Sequence, residues 1–280
     1  MTARATLSPA AVGTRLPPTT HRWTPTDAIL YALGVGARPP AERHLLDEHV
    51  GPAVLPTYAL VANWWAVKDL RAILDLGASP IVHAAQSLSL ERSVAASGEV
   101  SVAAEVTALW DTGKHAVIEV TSTGTDADGP LFHASSQTMV LGEGGFGGTR
   151  PASTAPAPHR APDGVHADEV RPEQAAIYRL SGDRNPLHID PAAARRFGFD
   201  DVFLHGLCTL GFAARALINV AGNGDPASLT SISCRFAKPV KLASELRTEI
   251  WRDGSGPVRF QTLQGDIVSL SSGTATLTGC

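Results

Sequence analysis

The 280 residues carry 23 Lys and Arg against 27 Asp and Glu, a formal charge of -4, with 44% hydrophobic and 18% charged residues. That balance belongs to a globular chain with a real core and excludes a disordered one, and the lack of a basic cluster gives nucleic acid no footing. Three cysteines with no metal-type pair argue against a disulfide framework or zinc site, and no run of about 18 apolar residues offers a membrane span.

The N-terminal stretch MTARATLSPAAVGTRLPPTT has no apolar core of the kind an export signal needs, so residues 1–22 are expected to be a loose tail on a cytoplasmic protein. From residue 23, ILYALGVGA at 29–37 precedes the apolar stretch YALVANWWAVKDLRAIL beginning at Tyr58, whose pattern predicts a helix. Strand-like runs follow: IVHAAQSLSLERSV, GEVSVAAEVTALWDTG, KHAVIEVTSTG and LFHASSQTMVLG. The paired Trp64 and Trp65 read as core, with the lining of a pocket for a fatty chain as the alternative. This first unit is placed at 23–142.

GEGGFGGTRPASTAPAPHRAPDG, from Gly142 to Gly164, is rich in Gly, Pro and Ala without apolar periodicity and predicts a linker over 143–164. Its glycines do not make a phosphate cradle, because prolines follow where a helix N-terminus would have to stand.

The second unit, 165–280, repeats the order of the first. Tyr178 precedes His205 by 27 residues, as Tyr31 precedes Tyr58, and the offset between the copies is 147 in both cases. HGLCTLGFAARALINVAG predicts the second long helix, followed by SLTSISCRFAKPV, SELRTEIWRDG, PVRFQTLQGD and IVSLSSGTATLTG as strands. Two copies of one unit of about 120 to 130 residues are expected, each an α+β arrangement of one helix wrapped by an antiparallel sheet.

The copies differ at one loop. YRLSGDRNPLHID places Asp183, Asn185 and His188 where the same offset gives the first copy Gly36 and Ala41, so the fold itself does not require the polar set. Asp190 and Pro191 read as the N-cap and first residue of a short helix. A solvated turn remains an alternative for the others. A metal is not expected, since Asp183 and His188 supply two firm ligands, fewer than a catalytic zinc takes. His205 and Cys208 lie three apart on the helix, but a buried thiol is the ordinary occupant of such a position.

Y-x-L-S-G-D-x-N-P-L-H-x-D-P followed by FLHGL resembles the motif of the MaoC-like hydratases, specifically the (R)-specific 2-enoyl-CoA hydratases called hydratase 2. LYALGVGA, VLPTYA, GGFGG and RFAKPV extend the resemblance to the two-copy members over roughly residues 23–278. It implies a double hot-dog fold and reversible hydration of trans-2-enoyl-CoA, without metal or redox cofactor. Such a reaction needs a base for water, an acid for the α-carbon and a donor for the thioester oxygen. Asp183 and His188 are the candidates for acid and base in either order, with Asn185 holding them or orienting the water. Gly206, at the start of the long helix, is the candidate oxyanion donor. The resemblance also points to Lys114 for a CoA phosphate or nucleotide contact, to Phe236 beside the thioester arm, and to His83, although Ala84 follows it where the family has glycine.

A dehydratase acting on acyl-carrier-protein thioesters would share this chemistry, with Arg235, Lys238 and Lys241 as a candidate basic patch for an acidic carrier. A non-catalytic acyl-thioester-binding subunit is the alternative of another class. A pseudo-dimeric monomer and a homodimer are both feasible.

Overall fold

The computed structural model describes residues 5–68, 70–152, 154–254 and 256–278, and the side chain of Trp65 and all of Cys280 lie outside what is described. In chain order the first half holds β1 (Ala5–Thr6), β2 (Thr19–Trp23), α1 (Pro25–Gly34), α2 (Ala59–Val67), α3 (Leu70–Ile73), β3 (Leu74–Asp75), β4 (Ile81–Leu90), β5 (Gly98–Asp111), β6 (Ala116–Asp126) and β7 (Gly129–Val140). The second holds β8 (Gly164–Val170), α4 (Gln174–Tyr178), α5 (Pro191–Arg196), β9 (Phe203–Leu204), α6 (Gly206–Ala221), β10 (Leu229–Phe236), β11 (Val240–Lys241), β12 (Ser244–Trp251), β13 (Val258–Gln264) and β14 (Ile267–Leu277).

Ten strands form one sheet in the order β2-β5-β6-β7-β4-β10-β14-β13-β12-β8, which reads the same from either end once the copies are matched. The copies join at its centre, where β4 and β10 run antiparallel with Ser87 opposite Ser233 and Ala85 opposite Arg235. Strands such as β5 alternate buried and exposed residues, as a sheet with one covered face requires. The cover is helical. In α6 all but Gly206, Asn219 and Val220 of its 16 residues are buried, including Leu210, Ala214 and Leu217. This is the helix-wrapped sheet expected from the sequence, a double hot-dog in a single chain. No helix of the described residues is long and apolar enough to cross a membrane.

Two expectations are corrected. The described part of the tail is not loose: β2 pairs with β5, the N–H groups of Gly13 and Leu16 donate to Val106 and Ala104, and Ala11 and Leu16 are buried. The edge of β5 would otherwise present unpaired backbone groups, and the tail covers it despite having no apolar period of its own. The helix expected from Tyr58 through Leu74 is interrupted, for α2 ends at Val67 and Leu74 enters the parallel pair of β3 with β1. The shorter helix belongs to the copy without the polar loop.

A buried ion network, invisible in the sequence, ties the copies together. Arg215 of α6 donates to both carboxylate oxygens of Glu42, at 3.0 and 2.7 Å, and to Asp168 of β8 at 3.2 Å. Its guanidinium also meets the carbonyl of Val35 at 3.0 Å.

Candidate active site

The loop after α4 is built from local hydrogen bonds of its own side chains. The N–H of Asn185 donates to Asp183 Oδ1 at 3.1 Å, and Asn185 Oδ1 accepts from the N–H of Leu187 at 3.2 Å, capping a single turn, Pro186–His188, that begins with proline. Asn185 therefore holds the loop's shape, one of the two tasks foreseen for it, with its side chain exposed. Asp190 caps α5 by accepting from Ala192 at 2.8 Å, with Pro191 in the first helical position as expected.

That turn carries His188 inward until only 7% of it is exposed. Its Nδ1 lies 2.8 Å from the carbonyl oxygen of Phe203. A carbonyl can only accept, so Nδ1 bears the proton and Nε2 of the neutral ring has a free lone pair. Phe203 is itself fixed by pairing with Lys241 in the small β9–β11 ladder. The ring of His205 stacks on His188 with centroids 3.7 Å apart, and its Nε2–H donates to the main-chain carbonyl of Asp183 at 3.1 Å. One oxygen of Asp183 and one ring nitrogen from each of these histidines lie within 4.8 Å of one another. The sequence counted two ligands of metal-binding type here; the structure adds His205 as a third, with its Nε2–H committed to the Asp183 carbonyl.

Burial sets the electrostatics. It pushes the Asp183 carboxyl above its ordinary value, against the opposing pull of the Asn185 N–H and the neighbouring His188. Burial likewise pushes His188 below its ordinary value, opposed by the Phe203 carbonyl and the Asp183 charge. A carboxyl with its pKa raised beside an imidazole with its pKa lowered brings the two groups closer in proton affinity, which eases proton exchange between them.

Gly206 opens α6 immediately after His205, so its N–H has no acceptor within the helix. A Cβ at this position would stand 3.1 Å from the Phe236 ring, so the close approach of that ring depends on glycine. The Phe236 ring in turn lies 4.6 Å from that of His83 on β4, which makes this side of the site a product of both copies. Nε2 of His83 is buried without a partner, and burial lowers the ring's pKa to about 4.

Lys114 stands apart. It is exposed in the turn between β5 and β6, at the end of the sheet where His83 lies, with β6 and β7 between its turn and β4. The glycine segment assigned to the linker is bound to this turn: Asp111 accepts from the N–H groups of Gly113, Gly145 and Gly147 at 2.7, 2.9 and 2.8 Å, and Gly144 donates to the Lys114 carbonyl at 3.2 Å. Cys208 is fully buried, its thiol donates to the Gly34 carbonyl at 3.2 Å, and burial pushes its pKa far up, so it is no nucleophile. Of the basic trio, Lys238 and Lys241 are exposed and Arg235 is half-buried on β10.

The sequence reading missed Phe203 and Asp111, whose importance comes from a backbone carbonyl and from contacts over more than 30 residues. A cavity of about 280 Å³ opens beside the loop, lined by Leu180, Ser181, Gly182 and Arg184 from the second copy and by Tyr58 and Val61 among others from the first.

Comparison with known proteins agrees with this architecture. Residues 21–142 match the model of the MFE-2 hydratase 2 N-terminal domain, and residues 153–272 match the MaoC like domain. The chain is 37% identical over 255 residues to the enoyl-CoA hydratase ChsH3 of Mycobacterium tuberculosis, covering 87% of this chain and 88% of that protein. It is 39% identical over 269 residues to the 3-hydroxyacyl-thioester dehydratase Y of the same organism, covering 91% of each. The crystal structure of a MaoC-like dehydratase from Phytophthora capsici superposes with a TM-score of 0.85 at 28% identity, over 97% of this chain and 98% of the other. With a hydratase 2 N-terminal domain in its first copy and a MaoC-like domain carrying Asp183 and His188 in its second, the chain belongs to the two-copy MaoC-like hydratase 2 family.

Proposed function

We propose that this protein is a hydro-lyase that adds water reversibly to trans-2-enoyl-CoA, giving (R)-3-hydroxyacyl-CoA. The observation that carries the reading is the convergence of the Asp183 carboxyl and His188 within 4.8 Å, beside the helix start at Gly206. In the hydration direction one O–H bond of water breaks as its oxygen joins the β-carbon. The proton passes to the Asp183–His188 pair, for which Nε2 of His188 has the free lone pair. The electrons of the double bond move onto the thioester oxygen, where the Gly206 N–H and the helix dipole favour negative charge. The pair then returns a proton to the α-carbon. Oxidation states are balanced without a redox cofactor, and no step requires a metal.

Phe236 and His83 would flank the thioester arm, Lys114 would meet the nucleotide end, and the acyl tail would run toward the first copy, where α2 is short. Acyl-carrier-protein thioesters remain a neighbouring substrate class, with Lys238 and Lys241 as exposed cations for an acidic carrier. A non-catalytic binder would have no use for an acid and a base buried together. Either a monomer or a homodimer fits, since the two copies already share one sheet. A reducing, cytoplasmic setting is supported by the free buried thiols of Cys208 and Cys234.

The test is the absorbance of a conjugated medium-chain trans-2-enoyl-CoA mixed with the purified protein, followed by chiral analysis of the product. Loss of absorbance with (R) product, abolished by Asp183→Asn and by His188→Gln, is expected. Loss that survives both substitutions removes the site assignment, and no loss at any chain length favours a binder.

A further inference from the structure

We infer that His205 is a positioning residue for the reaction proposed above, holding Asp183 in register with His188 through its bond to the Asp183 main-chain carbonyl. Four observations carry this. The His205 ring is 1% exposed, at the N-cap of a helix whose first turn it does not cap. Its Nε2–H spends its hydrogen bond on Asp183, 22 residues away, rather than on its own helix. The opposite face of the loop meets it again, because its ring stacks on that of His188. Among the described residues its Nδ1 is buried without a hydrogen-bond partner.

The two histidines thus hold the loop between fixed strands and a fixed helix. His188 hangs from Phe203 in β9, Asp183 hangs from His205 at the start of α6, and the rings in contact fix the spacing. His205 has to stay neutral for this. A second cation with its ring centroid 3.7 Å from that of His188 would oppose proton uptake there, and the Asp183 carbonyl, which can only accept, fixes the tautomer that donates from Nε2. Burial, then His188 and Arg179, lower its pKa to about 2, against the opposing pull of the Asp183 carbonyl, with the Asp183 carboxyl within 4.8 Å as the nearby acid and the Tyr178 ring at 4.9 Å. Among the Asp183 atoms, the carbonyl it meets is the main chain's.

The experiment compares His205→Phe, which keeps a stacking ring and removes the donor, with His205→Gln, whose amide N–H can replace Nε2–H. Enoyl-CoA hydration is followed by kcat and KM, and the His188 imidazole is titrated by NMR in each protein. For His205→Phe, kcat should fall about 10- to 100-fold with KM within about twofold, the scale of a catalytic group misplaced by an ångström. Its His188 titration should move up toward the ordinary histidine value as the loop opens to water. His205→Gln should recover most of both. If His205→Phe keeps the wild-type rate and titration, or if His205→Gln is no better than His205→Phe, the inference is overturned. Wild-type protein inert toward every enoyl-CoA, with the His188 titration still moved by His205→Phe, would sink the hydratase reading and leave the positioning role standing.

Discussion

His188 gives its Nδ1–H to the main-chain carbonyl of Phe203 at 2.8 Å and so keeps a lone pair on Nε2, on a ring with one nitrogen within 4.8 Å of an Asp183 carboxylate oxygen. The bond is to a backbone atom in a paired strand, which a rotating side chain cannot mimic or escape.

Replacing His188 with Gln keeps a polar side chain and removes the imidazole nitrogen that the proposed reaction uses to exchange a proton. A positioned acid or base contributes about 10² to 10⁴ in rate, and kcat for enoyl-CoA hydration should fall by that much with an unchanged circular dichroism spectrum. A variant within about tenfold of wild type would transfer the base role to Asp183 alone.

The buried histidines also predict a pH dependence of stability. His83 is lowered to about 4, His205 to about 2, and His188 lies below its ordinary value of 6.5. Below pH 6.5 the unfolded chain takes up protons that the folded one refuses, so stability falls as pH drops, through the folded-state values. Each fully buried group steepens the slope by up to about 1.4 kcal/mol per pH unit. Asp183 acts in the opposite sense, since its raised value lets the folded state keep a proton above 3.8 that the unfolded state gives up, offsetting part of the loss at the acid end. Urea midpoints measured from pH 7.5 to 5 should decline, and less so in His205→Gln. A flat series would mean that these rings are protonated in the folded protein.

Much of this arrangement was legible before any coordinates. The 147-residue offset exposed the duplication, and the contrast of Gly36 with Asp183 and of Ala41 with His188 singled out the candidate site, because a repeat acts as its own control. Strand alternation in β5 and the apolar run of α6 gave the layers. Contacts between distant backbone atoms were not legible. Nothing local marks Phe203 as the acceptor for His188, or Glu42 as the partner of an arginine 173 residues away. The tail was misread for the same reason, since β2 is five residues long and is held by the edge of β5, about 80 residues away.

Gly206→Ala tests the helix start. Alanine is a better helix residue than glycine, yet its Cβ would stand 3.1 Å from the Phe236 ring, which is backed by His83. Thermal stability should change by only a few degrees, whereas kcat/KM should fall about 10²-fold as the thioester oxygen is pushed away from its donor. Full activity would show that the oxygen is held elsewhere.

Arg215→Met removes one member of a buried network and leaves the carboxylates of Glu42 and Asp168 without it. Breaking a buried pair in this way costs about 3 to 5 kcal/mol, so urea unfolding should show a large loss. Adding Glu42→Gln should recover part of it, because the stranded charge is then gone. Protein that remains folded should keep the wild-type KM, since Arg215 reaches Val35, Glu42 and Asp168 and not the catalytic pair. Glu42 also accepts from the Arg38 N–H at 2.9 Å and from Asn219 at 3.1 Å, so a double variant weaker than the sum of its parts would mean that losing the charge on these bonds outweighs the relief.

Asp111 decides whether Lys114 reads the nucleotide. Its carboxylate gathers the N–H groups of Gly113, Gly145 and Gly147, which lowers its pKa and binds the glycine loop to the turn that carries Lys114. Gly144 has to be glycine there, because a Cβ would fall 2.5 Å from the His115 nitrogen. Asp111→Ala deprives three amides of a charged acceptor, worth about 1.5 to 3 kcal/mol for each bond, and frees the turn. If Lys114 meets a CoA phosphate, Asp111→Ala and Lys114→Ala should each raise KM for an enoyl-CoA about 2- to 5-fold, the scale of one exposed charged contact, with kcat unchanged. The same acyl chain on pantetheine lacks the nucleotide and should show no change in KM with either variant. An equal rise for both substrates would instead mean that the turn supports the acyl or thioester end, and Lys114 would lose its assignment.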